Sequence, residues 1–123
     1  MAERQGTKSG EALLRAIRGA RLTSVQFVLD YLILGFDEKG AVTTLVWPEV
    51  LKDEITFAFG IPGYRDELCA LIAQVVDDVR IFDEDTIVIY FQNKSQIRIP
   101  LRTYKGSGER AIFTAPNHVL LTW

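Results

Sequence analysis

One pattern limits this chain more than any other: strand-type alternation recurs twice at a nearly constant spacing, each time after a short helical segment. Leu32, Leu34 and Phe36 recur at every second position and so share one strand face, as do Ile87, Ile89 and Phe91. Val42, Thr44 and Val46 match Ile97, Ile99 and Leu101, and Val25 and Phe27 match Val79 and Ile81. Ahead of these, Leu13, Ala16 and Ile17 match Leu68, Leu71 and Ile72 at helical spacing. The offset is 55 residues for the helices, 54 for the first strands and 55 for the next two. A trailing correspondence pairs Glu54 and Phe57 with Glu109 and Ile112. Strict alternation is the mark of a strand with one buried face. A lone helix-plus-meander unit would expose that face, whereas two units can bury theirs against each other. Duplication of one unit and coincidence of two similar patterns both lead to this packing.

The expected fold is therefore α+β: two repeated helix-plus-meander units of about four strands each, packed as one antiparallel-sheet domain with two helices. Helices are expected over about 9–19, with Ser9 as N-cap and Glu11 in the first turn, and over about 64–74. Strands are expected near 22–29, 31–37, 41–47, 54–59, 76–82, 86–92, 96–102, 109–114 and 118–123. Turns are expected at Asp37–Gly40, where Gly40 can take positive φ, at Asp83–Asp85 and at Asn93–Ser95. Residues 1–123 read as a single domain, with halves at about 9–62 and 64–123.

Size and composition agree with this. A chain of 123 residues buries roughly two thirds of its unfolded surface, enough for a core without metal or disulfide support. It is 48% apolar and 24% charged, the balance of ordinary soluble domains. One cysteine, Cys69, cannot form an internal disulfide and suits a reducing compartment. No signal-peptide pattern or membrane-length apolar run is present, so the expected location is the cytoplasm, with no membrane partner. The net charge of −2 lacks the basic excess of a nucleic-acid binder. The local group Arg98, Arg102, Lys105 and Arg110 reads as solvated strand edges and turns, so no nucleic acid is expected.

Catalytic and cofactor chemistries each lack necessary parts. His118 is the only histidine, and no nucleophile is aimed at it by any motif. Cys69 follows Asp66 and Glu67, which disfavour a thiolate, and reads as a structural residue beside an apolar face. One cysteine and one histidine do not make a zinc site, and the acidic turns lack calcium-loop spacing. Gly106-Ser107-Gly108-Glu109-Arg110-Ala111 fits G-x-G-x-x-[GA], but a strand-like run follows it where a nucleotide fingerprint needs a helix. No catalytic residue, metal site or cofactor is therefore expected, and the balance leans away from an enzyme. The candidate partner-binding or ligand-binding residues are Tyr64, Arg65, Glu109, Trp47 and Trp123. Tyr64 and Arg65 open a helix after the constrained Gly60-Ile61-Pro62-Gly63 break, and both are residue types that anchor interfaces.

The second half also resembles a known pattern. Leu71-Ile72, Val79, Thr86-Ile87-Val88-Ile89-Tyr90-Phe91-Gln92-Asn93, Ile97-Arg98-Ile99, Glu109 and Trp123 resemble an uncharacterised family of small bacterial domains of unknown function. Its pattern is a short helix, a strand, an L-x-L-x-F-x-[DN]-G hairpin, an E-x-W/F segment and a closing V-W. Val25 to Val46 resembles the same pattern, and the stretch from Pro62 to Cys69 resembles a motif of uncharacterised bacterial relatives. The chain departs from it at Lys94–Ser95, where the hairpin glycine is expected, and at Thr122. The resemblance implies no activity for any residue. The missing catalytic set and the core-building strand patterns lead to the expectation of a non-enzymatic bacterial protein-interaction domain, of the immunity or accessory kind by analogy of fold and size, whose partner is another protein or a second copy of itself. The alternative is a small-ligand-binding domain or minimal enzyme with its site between the two repeats.

Overall fold

A computed structural model describes residues 7–83, 85–101, 110–117 and 120–123. Two antiparallel five-stranded sheets and two short helices make up the described chain. Helix α1 spans Thr7–Leu14 and tightens into a 3-10 turn at Arg15–Ile17. A three-stranded meander follows: β1 (Leu22–Val28), β2 (Tyr31–Phe36) and β3 (Gly40–Thr44). The chain then forms the hairpin β4 (Glu49–Lys52) and β5 (Ile55–Phe57). Helix α2 (Tyr64–Cys69) opens the second half. A second meander, β6 (Val76–Phe82), β7 (Thr86–Phe91) and β8 (Gln96–Pro100), leads to the hairpin β9 (Ala111–Thr114) and β10 (Leu120–Thr122).

The hairpins do not stay with their own meanders. The sheet orders are β1-β2-β3-β9-β10 and β5-β4-β8-β7-β6. Val42 of β3 pairs with Phe113 of β9, and Ile97 of β8 pairs with Val50 of β4. Each meander would otherwise leave the outer edge of its third strand unpaired, and the hairpin of the other half covers it. The expected single meander system of about four strands per half is thus corrected to two sheets with five strands per half. The trailing correspondence is corrected as well. Pairing against β3 and β8 aligns Phe113 with Val50, an offset of 63 rather than 55.

The meanders share register in detail. Val25 faces Leu34, as Val79 faces Ile89, and Leu34 faces Val42, as Ile89 faces Ile97. Register shifts fall between Leu22 and Ser24 in β1 and between Val76 and Asp78 in β6, the position of a β-bulge in both. The halves also meet through a reciprocal set of backbone bonds around the Arg21–Val75 bridge. Leu22 N–H donates to Gln74 O (3.0 Å) and Val76 N–H to Ala20 O (2.8 Å). Gly19 N–H donates to Val76 O (2.9 Å) and Ala73 N–H to Leu22 O (2.7 Å). Gly19 and Ala73 both adopt left-handed backbone, with φ of 82° and 81°.

One core joins the sheets and helices. Leu14, Ile17, Leu32, Leu34, Phe36, Leu68, Ile87, Ile89, Phe91 and Ile97 are fully or almost fully buried in one cluster. The alternation seen in the sequence is the burial pattern of β2, where Leu32, Leu34 and Phe36 are inside. Gly40 takes φ 121°, and an added Cβ would lie 2.5 Å from the Thr114 carbonyl oxygen, so this turn requires glycine.

Several local expectations shift. α1 starts at Thr7, ahead of Ser9, and Glu11 accepts the Ile81 N–H (2.7 Å) instead of serving its own helix terminus. α2 stops at Cys69, because Ala73 turns left-handed to bond β1. Ile72 and Cys69 are consequently exposed rather than set on an apolar helix face. The run at 54–59 divides: Asp53 and Glu54 form a turn with φ of 52° and 67°, and β4 precedes it. The side chain of Leu13 lies outside the described set, as do Arg102, Lys105, residues 106–109 and His118.

Candidate functional site

The candidate residues Trp47, Tyr64 and Arg65 come together at the start of α2. The loop Ala58–Gly63 folds back on itself, with Ile61 N–H donating to Ala58 O (3.0 Å) and Tyr64 N–H to Ile61 O (3.1 Å). Gly60 and Gly63 take φ of 94° and 92°, which only glycine adopts without strain. This return places Phe59 on Trp47, with ring centroids 4.4 Å apart and planes 13° from parallel. Tyr64 meets Phe59 edge-on at 6.0 Å. The Tyr64 hydroxyl donates to the Pro48 carbonyl oxygen, tying α2 to the crossover that carries Trp47. Burial, with a smaller contribution from Glu49, pushes the Tyr64 hydroxyl pKa far above its ordinary value; Arg65 opposes this only in part. The phenol is a fixed structural donor rather than an acid–base group.

Arg65 closes the cluster from outside. Its guanidinium carbon stands 5.6 Å from the Phe27 ring centroid and 5.8 Å from that of Phe59, within cation–π reach of both. Below it, Lys52 and Glu67 form an ion pair at 3.1 Å, binding α2 to β4. The surface is a corner of aromatic faces with a positive cap. Phe59 is 47% exposed, and Ile61 beside it is 50% exposed. The concavity here is an open depression of about 250 Å³ lined by Gly60–Asp66.

Trp123 belongs to the other end. Its indole lies against Gly10 of α1, where an added Cβ would be 3.2 Å away, and its carbonyl accepts the Arg110 N–H. Glu109 lies outside the described residues. Phe27 and Phe59 are the residues that sequence reasoning missed. Each sits in an alternating apolar run, which marks a buried strand face and gives no sign of a shared surface corner.

Among the described residues no group of three His, Cys, Asp or Glu side chains could hold a metal ion. No described helix is long and apolar enough to cross a membrane. Comparison of the chain with protein-family models, curated proteins and solved structures gave no match.

Proposed function

We propose that this chain is a non-enzymatic protein-interaction domain that binds another protein through the Trp47–Phe59–Arg65 corner. The observation that carries this reading is the corner itself: a half-exposed Phe59 stacked on a partly buried Trp47, beneath an arginine held by the faces of Phe27 and Phe59. Trp, Tyr and Arg dominate binding energy at protein interfaces, and rigid aromatic anchors lose little entropy on binding. An immunity or accessory role in a bacterial cytoplasm fits a domain of this size. The exposed, unpaired Cys69 accords with a reducing compartment.

In the same reading the chain consists of two matched units. The common register, the common bulge position and the reciprocal bonds around Arg21 and Val75 support that history. The alternative of a ligand site between the units is less favoured. One depression at their junction, lined by Arg21, Leu22, Thr23, Ile72 and Ala73, holds about 190 Å³, below the roughly 300–1,000 Å³ of small-molecule sites. A second, of about 570 Å³, is an open hollow lined by Arg15, Arg18, Asp77 and Gln92, without the largely apolar enclosure such sites have.

The test uses immobilised wild-type chain and two variants, Arg65→Glu and Phe59→Ser, exposed to lysate of the source cell. Folding of each is checked by circular dichroism. A protein retained by wild type and by an Arg18→Glu control, but lost from both corner variants, is the expected result. Equal retention by all four chains, or by none, refutes the reading.

A further inference from the structure

Among the described residues the two sheets have four edge strands, and three of them are protected. β5 and β10 are three residues each, too short to template a partner strand. β6 carries Asp77, Asp78 and Arg80, and side chains of the first helical segment and the residue after it cap its edge. Arg18 donates to Asp77 O (3.3 Å), Arg15 donates to Val79 O (3.2 Å), and Glu11 accepts the Ile81 N–H (2.7 Å). β1 lacks these devices, although α2 packs beside it with the Arg65 guanidinium over the Phe27 ring. It is seven residues long, Leu22–Val28, without a charge or proline. The common register makes Val25 and Phe27 the counterparts of Val79 and Ile81, so their backbone groups point outward. At the positions of Glu11, Arg15 and Arg18, the second half has Arg65, Cys69 and Ile72, as the matching bonds of Gly19 and Ala73 show, and none of the three bonds the β1 backbone. Among the described residues no side-chain hydrogen bond reaches the outward groups of Val25 and Phe27.

We propose that β1 pairs antiparallel with β1 of a second copy of this chain, joining two sheets across a twofold axis at Gln26. The open stretch is bounded on one side by Leu22, which is bonded to Ala73 and Gln74, and on the other by the turn after Val28. It is centred on Gln26. With the axis there, Val25 bonds Phe27 of the other copy and Phe27 bonds its Val25, both pairs using outward groups. The occupant follows from charge. The strand itself is neutral, with Arg21 before it and Asp30 after it, so antiparallel self-pairing brings basic and acidic ends together twice. Arg21 remains 62% exposed while bonded to Asp37. Leu29, 88% exposed, gains cover opposite Thr23 of the other copy. This inference does not rest on the partner-binding reading of the aromatic corner.

Analytical ultracentrifugation of the full chain tests it. Wild type is expected to rise with concentration toward twice the 13.9 kDa chain mass. Gln26→Lys places two lysines opposite each other and is expected to raise the dimer Kd about fivefold. Gln26 is exposed, so the fold tolerates the change. In a Cys69→Ser background, Gln26→Cys sets two thiols at a non-hydrogen-bonded pair, where Cα atoms lie about 4.5 Å apart, within disulfide range. A mild oxidant should lock this variant as a dimer but not a Glu38→Cys control. A wild-type monomer into the millimolar range overturns the proposal. So does a dimer that ignores Gln26→Lys and is not locked by Gln26→Cys.

Discussion

Ala73→Gly should stabilise this protein. Ala73 holds φ 81° and gives its N–H to Leu22 O at 2.7 Å, a bond that fixes the junction between the halves. An L-residue with a Cβ pays about 1–2 kcal/mol to adopt left-handed backbone. Glycine removes that strain but enlarges the entropy of the unfolded chain, which costs about 0.4–1 kcal/mol. Ala73 is exposed, so its methyl contributes no buried packing that would be lost. The net gain is about 0.5–1 kcal/mol, or about 2–5 °C in Tm for a domain of this size. Gly19 provides the reverse experiment at φ 82°. A Cβ there would meet nothing within 4 Å, so Gly19→Ala probes the backbone alone and should cost about 1 kcal/mol. Urea unfolding of both variants, with m-values compared to wild type, measures the two effects. A neutral or destabilising Ala73→Gly with unchanged m would refute the reasoning, as would a harmless Gly19→Ala.

Three further outcomes follow from buried or charged groups. Thr44 is fully buried, and its hydroxyl has no hydrogen-bond partner among the described residues; Thr44→Val should raise the urea midpoint by the equivalent of about 1 kcal/mol. Tyr64→Phe leaves the Pro48 carbonyl without its donor and should lower stability by about 1 kcal/mol in the same assay. Asp78 is pushed up by burial, but the Val79 N–H, Arg80 and Arg15 outweigh this and hold its carboxyl below 3.8. The Arg21 N–H and guanidinium lower Asp37 against a smaller effect of burial. Both carboxylates therefore contribute stability that is present above about pH 4 and lost as pH falls through their lower folded values. Urea midpoints should drop steeply below about pH 4, and Asp78→Asn should flatten that drop.

The meanders were legible because their signal is local. A buried strand face needs alternation, and Leu32, Leu34 and Phe36 or Ile87, Ile89 and Phe91 display it without reference to the rest of the chain. β4 was hidden because only Val50 of its four residues is buried and its turn, Asp53-Glu54, holds positive φ without glycine. The trailing offset was misread for a related reason. A period of two fits many registers, and only pairing against β3 and β8 fixes one. In the candidate site, the helix start at Tyr64 was visible from the Gly-Ile-Pro-Gly break and from the residue types that follow it. Phe59 was not visible as a site residue, because its place on Trp47 depends on a loop return closed by weak local bonds.

The sequence by itself determined two helix-and-meander segments, the faces that the second and third strands of each meander bury and the absence of several ligand sets from the composition. Those follow from periodicity and residue chemistry, which act over a few residues. The helix faces read from it left out Leu14, which is buried, and included Ala16 and Ile72, which are exposed. Only the tertiary structure decided that the hairpins exchange between sheets, that Arg65 rests on Phe27 and Phe59, and that β1 keeps an open edge. Each of these depends on which distant segment satisfies a strand's unpaired backbone groups, and long-range pairing of that kind leaves no periodic trace in the chain.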